Sequence, residues 1–123
     1  MANRDFNRKQ ALEREVKEVY AEIAIAGSGA PTLTYGTGVA SISRTSTGLY
    51  VLTLQDTYTR LMAADVSILS ASAQDLISQL QAESVASAKT VTFRTQEAAG
   101  VVADPSNGSK LFVKLDLKNS SVR

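Results

Sequence analysis

The sequence predicts a mainly β protein: a small antiparallel β-sandwich or jelly-roll-like domain preceded by an N-terminal amphipathic α-helix. Two observations carry this expectation. The first is a segregation of residue types. No Ser or Thr occurs before Ser28, and all 14 Ser and 11 Thr follow Gly27, whereas the same 27-residue stretch holds 10 of the 25 charged side chains. The second is a change of hydrophobic period, from about 3.6 before Gly27 to 2 after Pro31. A charge-dense helix former is joined to a hydroxyl-rich strand former through Gly27-Ser28-Gly29-Ala30-Pro31.

The helix is expected over Asp5 to Ile25. Leu12, Val16, Val19, Tyr20 and Ile23 fall on one stripe at helical spacing. Lys9–Glu13, Glu13–Lys17 and Arg14–Glu18 are opposite charges four residues apart, each worth about 0.2–0.5 kcal/mol on a helix. Gly27 and then Pro31 supply the stop. Val16 and Ile23 can be set at heptad a positions with Leu12 and Val19 at d, a pattern that favours trimers. The apolar stripe exceeds what a lone helix can leave in water, so it needs a cover: either the chain's own β domain or other chains. Leu12, Val16, Val19, Tyr20 and Ile23 are therefore the expected subunit or partner contacts. The flexible Gly-Ser linker favours contact with other chains, because it lets an arm reach away from its own domain. The expected organisation is a helical arm (1–26), a linker (27–31) and a β domain (32–123).

Beyond the linker, Val39 to Ser43 and Leu49 to Leu54 flank a loop ending in Gly48 and read as a hairpin. Met62 to Ser70 resumes an extended pattern. Asp75 to Val85 fits either helix or strand; the strand is preferred, because a turn at Ala86-Ser87-Ala88 would pair it with Thr90 to Arg94. The turn Asp104-Pro105-Ser106-Asn107-Gly108 leads into Leu111 to Leu117. In that last strand Leu111, Val113, Leu115 and Leu117 share the core face, and Lys114 and Asp116 take the other. Phe112 also lies opposite the leucines, so it must pack on another layer or a partner.

Composition narrows the chemistry. The chain has no His and no Cys, which removes the commonest general base, thiol nucleophiles, disulfides and thiolate metal sites. Net charge is +1 and unsegregated, so no basic face for nucleic acid is expected. No apolar run approaches the ~20 residues of a membrane helix. Gly27-Ser28-Gly29 resembles a dinucleotide-binding loop only superficially, since that motif needs a strand before and a helix after it, and here the order is reversed. The carboxylates Asp56, Asp65, Asp75, Glu83, Glu97, Asp104 and Asp116 form no recognisable catalytic pair. Asp104 reads as a turn residue and Asp116 as a solvated strand residue. Neither an enzyme nor a cofactor or metal site is expected.

Among the aromatics, Phe93 reads as core and Tyr58, in a polar turn, as the best exposed candidate. A carbohydrate-binding module would need such exposed rings, with Tyr35, Tyr50 and Tyr58 the positions to inspect.

Three strings carry a resemblance. Ser46-Thr47-Gly48-Leu49-Tyr50-Val51-Leu52-Thr53-Leu54-Gln55-Asp56, together with the closing Ala103-Asp104-Pro105-Ser106-Asn107-Gly108 and Leu115-Asp116-Leu117-Lys118-Asn119-Ser120-Ser121-Val122, resembles small virion structural proteins of tailed bacteriophages. The resemblance covers roughly 36–122. It implies a head decoration (cement) role, or alternatively a head-fibre or tail role, without catalytic residues. On that reading the protein is made in the host cytoplasm and seated on the capsid exterior as a homotrimer, bound to the major capsid protein.

Overall fold

The computed structural model describes residues 16–119. Within them the chain forms eight strands: β1 (Val16–Ala24), β2 (Thr32–Tyr35), β3 (Val39–Ser46), β4 (Leu49–Leu54), β5 (Arg60–Leu69), β6 (Leu76–Ser84), β7 (Thr90–Glu97) and β8 (Lys110–Lys118). They make two four-stranded sheets, ordered β2-β1-β8-β5 and β3-β4-β7-β6, and every pairing is antiparallel.

The expected helix is corrected where it can be seen. Val16 to Ala24 is a strand paired with β8 throughout its length, from Val16↔Lys118 to Ala24↔Lys110. Asp5 to Glu15 lie outside the described residues. The physical reason is visible in the burial pattern. Val19, Ala21, Ile23 and Ile25 alternate and are all buried, a period of 2 that fits a half-buried strand. Val16, Val19, Ile23 and Ile25 are β-branched, which favours the extended chain over the helix. Pairing with β8 and burial of one whole face outweigh the few tenths of a kcal/mol that each i,i+4 charge pair offers a helix. Gly27 to Pro31, expected as the linker to a separate domain, is the connection between two paired strands, β1 and β2.

The rest follows the expected strands closely. The hairpin loop shrinks to Thr47-Gly48, Asp75–Val85 resolves as strand β6, and β6 turns into β7 through Val85 to Lys89. One short strand, Thr32–Tyr35, was not foreseen.

A single core fills the space between the sheets. Val19, Ile23, Leu111, Val113, Leu115 and Leu117 face it from one side, and Tyr50, Leu52, Leu54, Val91 and Phe93 from the other. Tyr50 and Phe93 stack with ring centroids 5.8 Å apart. The two sheets also meet at one margin, where the Ser78 hydroxyl donates to the Val66 carbonyl between edge strands β6 and β5. The strand order coincides with the ABED-on-CFG order of immunoglobulin-type sandwiches: β3, β4, β7 and β6 take the places A, B, E and D, and β5, β8 and β1 take C, F and G. The strand in the last place comes from the N-terminal side of the chain, so the order is circularly permuted.

Asp104 clasps the β7–β8 crossover to the β3–β4 hairpin. Its Oδ1 accepts from Arg44 Nε at 2.9 Å, from the Gly48 amide at 2.9 Å and from the Tyr50 hydroxyl at 3.0 Å, while Oδ2 accepts from Arg44 Nη2 at 2.7 Å. Gly48 itself sits at φ +68°, and a Cβ there would lie 2.6 Å from the Thr95 carbonyl oxygen, so the position requires glycine. Asp104 was expected as a turn residue; it lies in the loop before the turn at Asn107-Gly108, and its carboxylate does far more. Arg44 holds that carboxyl below the usual range, helped by the Gly48 and Tyr50 donors and opposed by partial burial. Burial, then the bond to Asp104, pushes the Tyr50 hydroxyl above its ordinary value, so it stays a donor.

Two outcomes are expected. Leu115→Ala, at a fully buried site, should cost about 2–5 kcal/mol in denaturant melts. The Asp104 clasp should behave as an acid-sensitive device. Its folded pKa lies below the unfolded one, so its stabilisation is complete above the unfolded value of about 3.9 and is lost as pH falls through the folded value. Asp104→Asn should therefore melt below wild type at neutral pH, with the difference closing below about pH 4. Tyr50→Phe should cost about 1.5–3 kcal/mol, the range for hydrogen bonds to a charged group.

Candidate functional site

β8 is an internal strand with β1 on one side and β5 on the other, and its alternation builds two different surfaces. Leu111, Val113, Leu115 and Leu117 point into the core, so Phe112, Lys114 and Asp116 point out. The register brings specific neighbours to them. Phe112 lies opposite Glu22 of β1 and Ser67 of β5; Lys114 lies opposite Tyr20 of β1 and Asp65 of β5. On the far side of β1, Glu22 is opposite Tyr35 of β2. Directly opposed residues stand about 4.5–5.5 Å apart, and diagonal ones about 7–8 Å.

The outcome is an open groove of about 480 Å³ on the outer face of this sheet, lined by Tyr20, Tyr35, Phe112, Glu22, Asp65 and Lys114 among others. Its three rings are well exposed: Tyr20 by 50%, Tyr35 by 63% and Phe112 by 41%. These are large apolar groups left in water on one contiguous face, the kind of patch that marks a binding surface more often than a solitary exposed side chain does. The Tyr20 hydroxyl donates to Glu18 Oε2 at 2.6 Å, which ties the ring to its own strand. Glu22 has Lys110 within 3.9 Å. Asp65 and Lys114 face each other in register and take no side-chain hydrogen bond or ion pair with other described residues, so both stay available to a ligand.

The expected contact residues separate. Leu12 lies outside the described residues. Val19 and Ile23 are buried, covered by this chain's own second sheet, so one of the two covers foreseen for the stripe is the chain itself. Val16 and Tyr20 are exposed on the other face, and Tyr20 alone of the four described ones lines the groove. A heptad seam through Val16, Val19 and Ile23 does not exist on a strand, and with it goes the basis for a trimer drawn from those positions.

The aromatics rearrange likewise. Tyr50 and Tyr58 are buried, while Tyr35 is open. Tyr58 is not the exposed ring that its polar neighbours suggested; its amide bonds to the Val85 carbonyl and its ring closes the core between β4 and β5. Phe112 fits the expectation that it lies off the core. The residues that sequence reasoning missed are Tyr20 as a groove residue, Glu22, Asp65, Ser67 and Lys114. The alternation of Val19, Ala21, Ile23 and Ile25 was the available signal, since it turns Tyr20 and Glu22 outward together.

Among the described residues, no group of three or more Asp or Glu side chains is placed to hold a metal ion. The comparisons with known proteins return no match: no protein family model, no curated protein and no solved structure is similar to this chain.

The expected outcome at this site is a sharp contrast within one strand. Tyr20→Ala should leave stability within about 0.5 kcal/mol, as exposed substitutions do. Ile23→Ala, three positions on but buried, should cost about 2–5 kcal/mol. Equilibrium urea unfolding of the two variants checks it.

Proposed function

We propose that this protein is a virion structural protein that decorates the outside of an assembled phage head and stabilises it. The observation that carries the reading is the pairing of the first and last described strands. Val16 and Lys118 are register partners on neighbouring strands, so the described domain begins and ends at one pole of the sandwich. The N-terminal segment is charge-dense, with Arg4, Asp5, Arg8, Lys9, Glu13, Arg14 and Glu15. A sandwich whose first and last described strands share one pole, preceded in the sequence by a charge-dense segment, suits a module that is tethered at that pole and projects from a surface. The resemblance to virion structural proteins supports the same reading. Its quoted strings contribute the Gly48 turn, strand β4, the Asp104 loop and the last residues of β8, which include three of the clasp's groups.

The mechanism is mass action. A protein that binds the assembled lattice and not its separated subunits shifts the equilibrium toward the lattice by its own binding free energy. Such work needs a stable domain and a fixed contact surface. On this reading the partner is the major capsid protein and the site of action is the capsid exterior.

Sucrose-gradient sedimentation of phage particles from producing cells tests it. The chain should sediment with DNA-filled heads in a fixed ratio to the major capsid protein. Particles lacking it should release DNA at a lower temperature, and adding the purified full-length chain should restore the loss temperature. Recovery of the chain only in the soluble fraction, with particle stability unaltered by its absence, would overturn the proposal. A tail or fibre role would appear as co-sedimentation with tails separated from heads.

A further inference from the structure

We propose that the groove on the outer face of the β2-β1-β8-β5 sheet binds a neutral oligosaccharide, with Tyr35 and Phe112 as its stacking platforms. The proposal concerns a second surface, away from the pole where the described domain begins and ends, and it does not depend on the capsid reading.

Three features of the groove specify the ligand. The first is its place on a sheet face. β8 is paired along its length with β1 and β5, so the backbone under Phe112 and Lys114 is committed to the ladder. Recognition on that floor runs through side chains. The second is the kind of side chain. Tyr20, Tyr35 and Phe112 present exposed rings, and Glu22, Asp65 and Lys114 stand among them. Pyranose sugars have an apolar C–H face and a rim of hydroxyls that both donate and accept. Rings receive the first; a carboxylate and an ammonium receive the second. The third is charge. Glu22 is offset by Lys110 at 3.9 Å, and Asp65 is opposed by Lys114 in register. The groove is thereby close to electroneutral, which favours an uncharged ligand over a phosphorylated, sulfated or uronic one. Its volume of about 480 Å³ lies within the range of about 300–1,000 Å³ typical of small-molecule sites.

Hydrogen bonding inside the face supports pre-organisation. Tyr20 is held by Glu18, and strand pairing on both sides fixes the backbone under Phe112. Little ordering is left to do on binding, which conserves affinity for a weakly held ligand.

Amide chemical-shift mapping and calorimetry on the full-length protein test the proposal. The probes are the uncharged oligomers cellohexaose, maltohexaose, laminarihexaose and chitohexaose, with hexagalacturonate as the charged comparison. At least one neutral oligomer should shift the amides around Tyr20, Tyr35, Phe112 and Lys114. Tyr35→Ala and Phe112→Ala should each weaken that binding by about tenfold or more, with melting curves close to wild type. Ile77→Ala, an exposed position on the other sheet, should bind as wild type does. Silence from all four neutral oligomers overturns the proposal, as does binding that survives both aromatic substitutions or a preference for hexagalacturonate. Sedimentation equilibrium supplies a further arm: a dimer that Tyr35→Ala and Phe112→Ala dissociate would assign the groove to a second copy of this chain and overturn the sugar.

Discussion

The carboxylate of Asp104 is the point on which this sandwich turns. The crossover from β7 to β8 has to leave one sheet and enter the other, and a crossover without anchors would let β8 slide. A slip of one residue would send Leu111, Val113, Leu115 and Leu117 to water and Phe112, Lys114 and Asp116 to the core. Asp104 opposes that slip by taking donors from the Arg44 side chain, the Gly48 amide and the Tyr50 hydroxyl together. Thr95 reinforces it from β7, with its hydroxyl donating to the Ala103 carbonyl at 2.6 Å and its carbonyl accepting from the Ala103 amide. Tyr50 then connects the clasp to the core, since the ring that stacks on Phe93 carries the hydroxyl that reaches Asp104.

With β8 pinned, the consequences for the outer face follow from geometry. Period-2 alternation means that a strand with four core residues on one face displays the residues between them on the other. Lys114 can stay there because it remains partly solvated, so it incurs little of the desolvation cost of a buried charge, whereas Asp116 keeps one buried carboxylate oxygen with no hydrogen-bond partner among the described residues. Aromatic rings on the same face gain nothing from the core, and Tyr20, Tyr35 and Phe112 all leave substantial area in water. Fold stability does not account for three such rings on one face of one sheet. The proposed ligand would account for them, because their burial is then deferred until it binds.

The strands with one continuous apolar face were legible from sequence: Leu49 to Leu54, Thr90 to Arg94 and Leu111 to Leu117 each alternate cleanly and are flanked by turn residues. Val16 to Ile25 was not, because two periods coexist in it. Val16, Val19, Tyr20 and Ile23 satisfy a helical stripe, while Val19, Ala21, Ile23 and Ile25 satisfy a strand. The local charge pairs tip a reader toward the helix, and only the long-range partner β8 tips the chain toward the strand. Tyr58 failed for a related reason. Asp56, Thr57 and Thr59 around it are polar, yet the crossover from β4 to β5 turns the ring inward. The groove was legible in part, through Phe112. Its other members come from β1, β2 and β5, and no local pattern says that those strands neighbour β8.

The circular order of the strands ties these pieces together. Placing the first described strand, β1, next to the last, β8, brings both ends of the described domain to one pole, at Val16 and Lys118. The groove lies farther along the same two strands, with Phe112 roughly 20 Å from Lys118 at about 3.3 Å per residue. Attachment at the pole therefore leaves the groove clear of the attachment point, whatever the partner at the pole is. On the proposed reading the same pair of strands would serve both requirements: their ends would fix where the domain is held, and their outward residues what it offers to the surroundings. The two-sheet core between them would then separate holding from display.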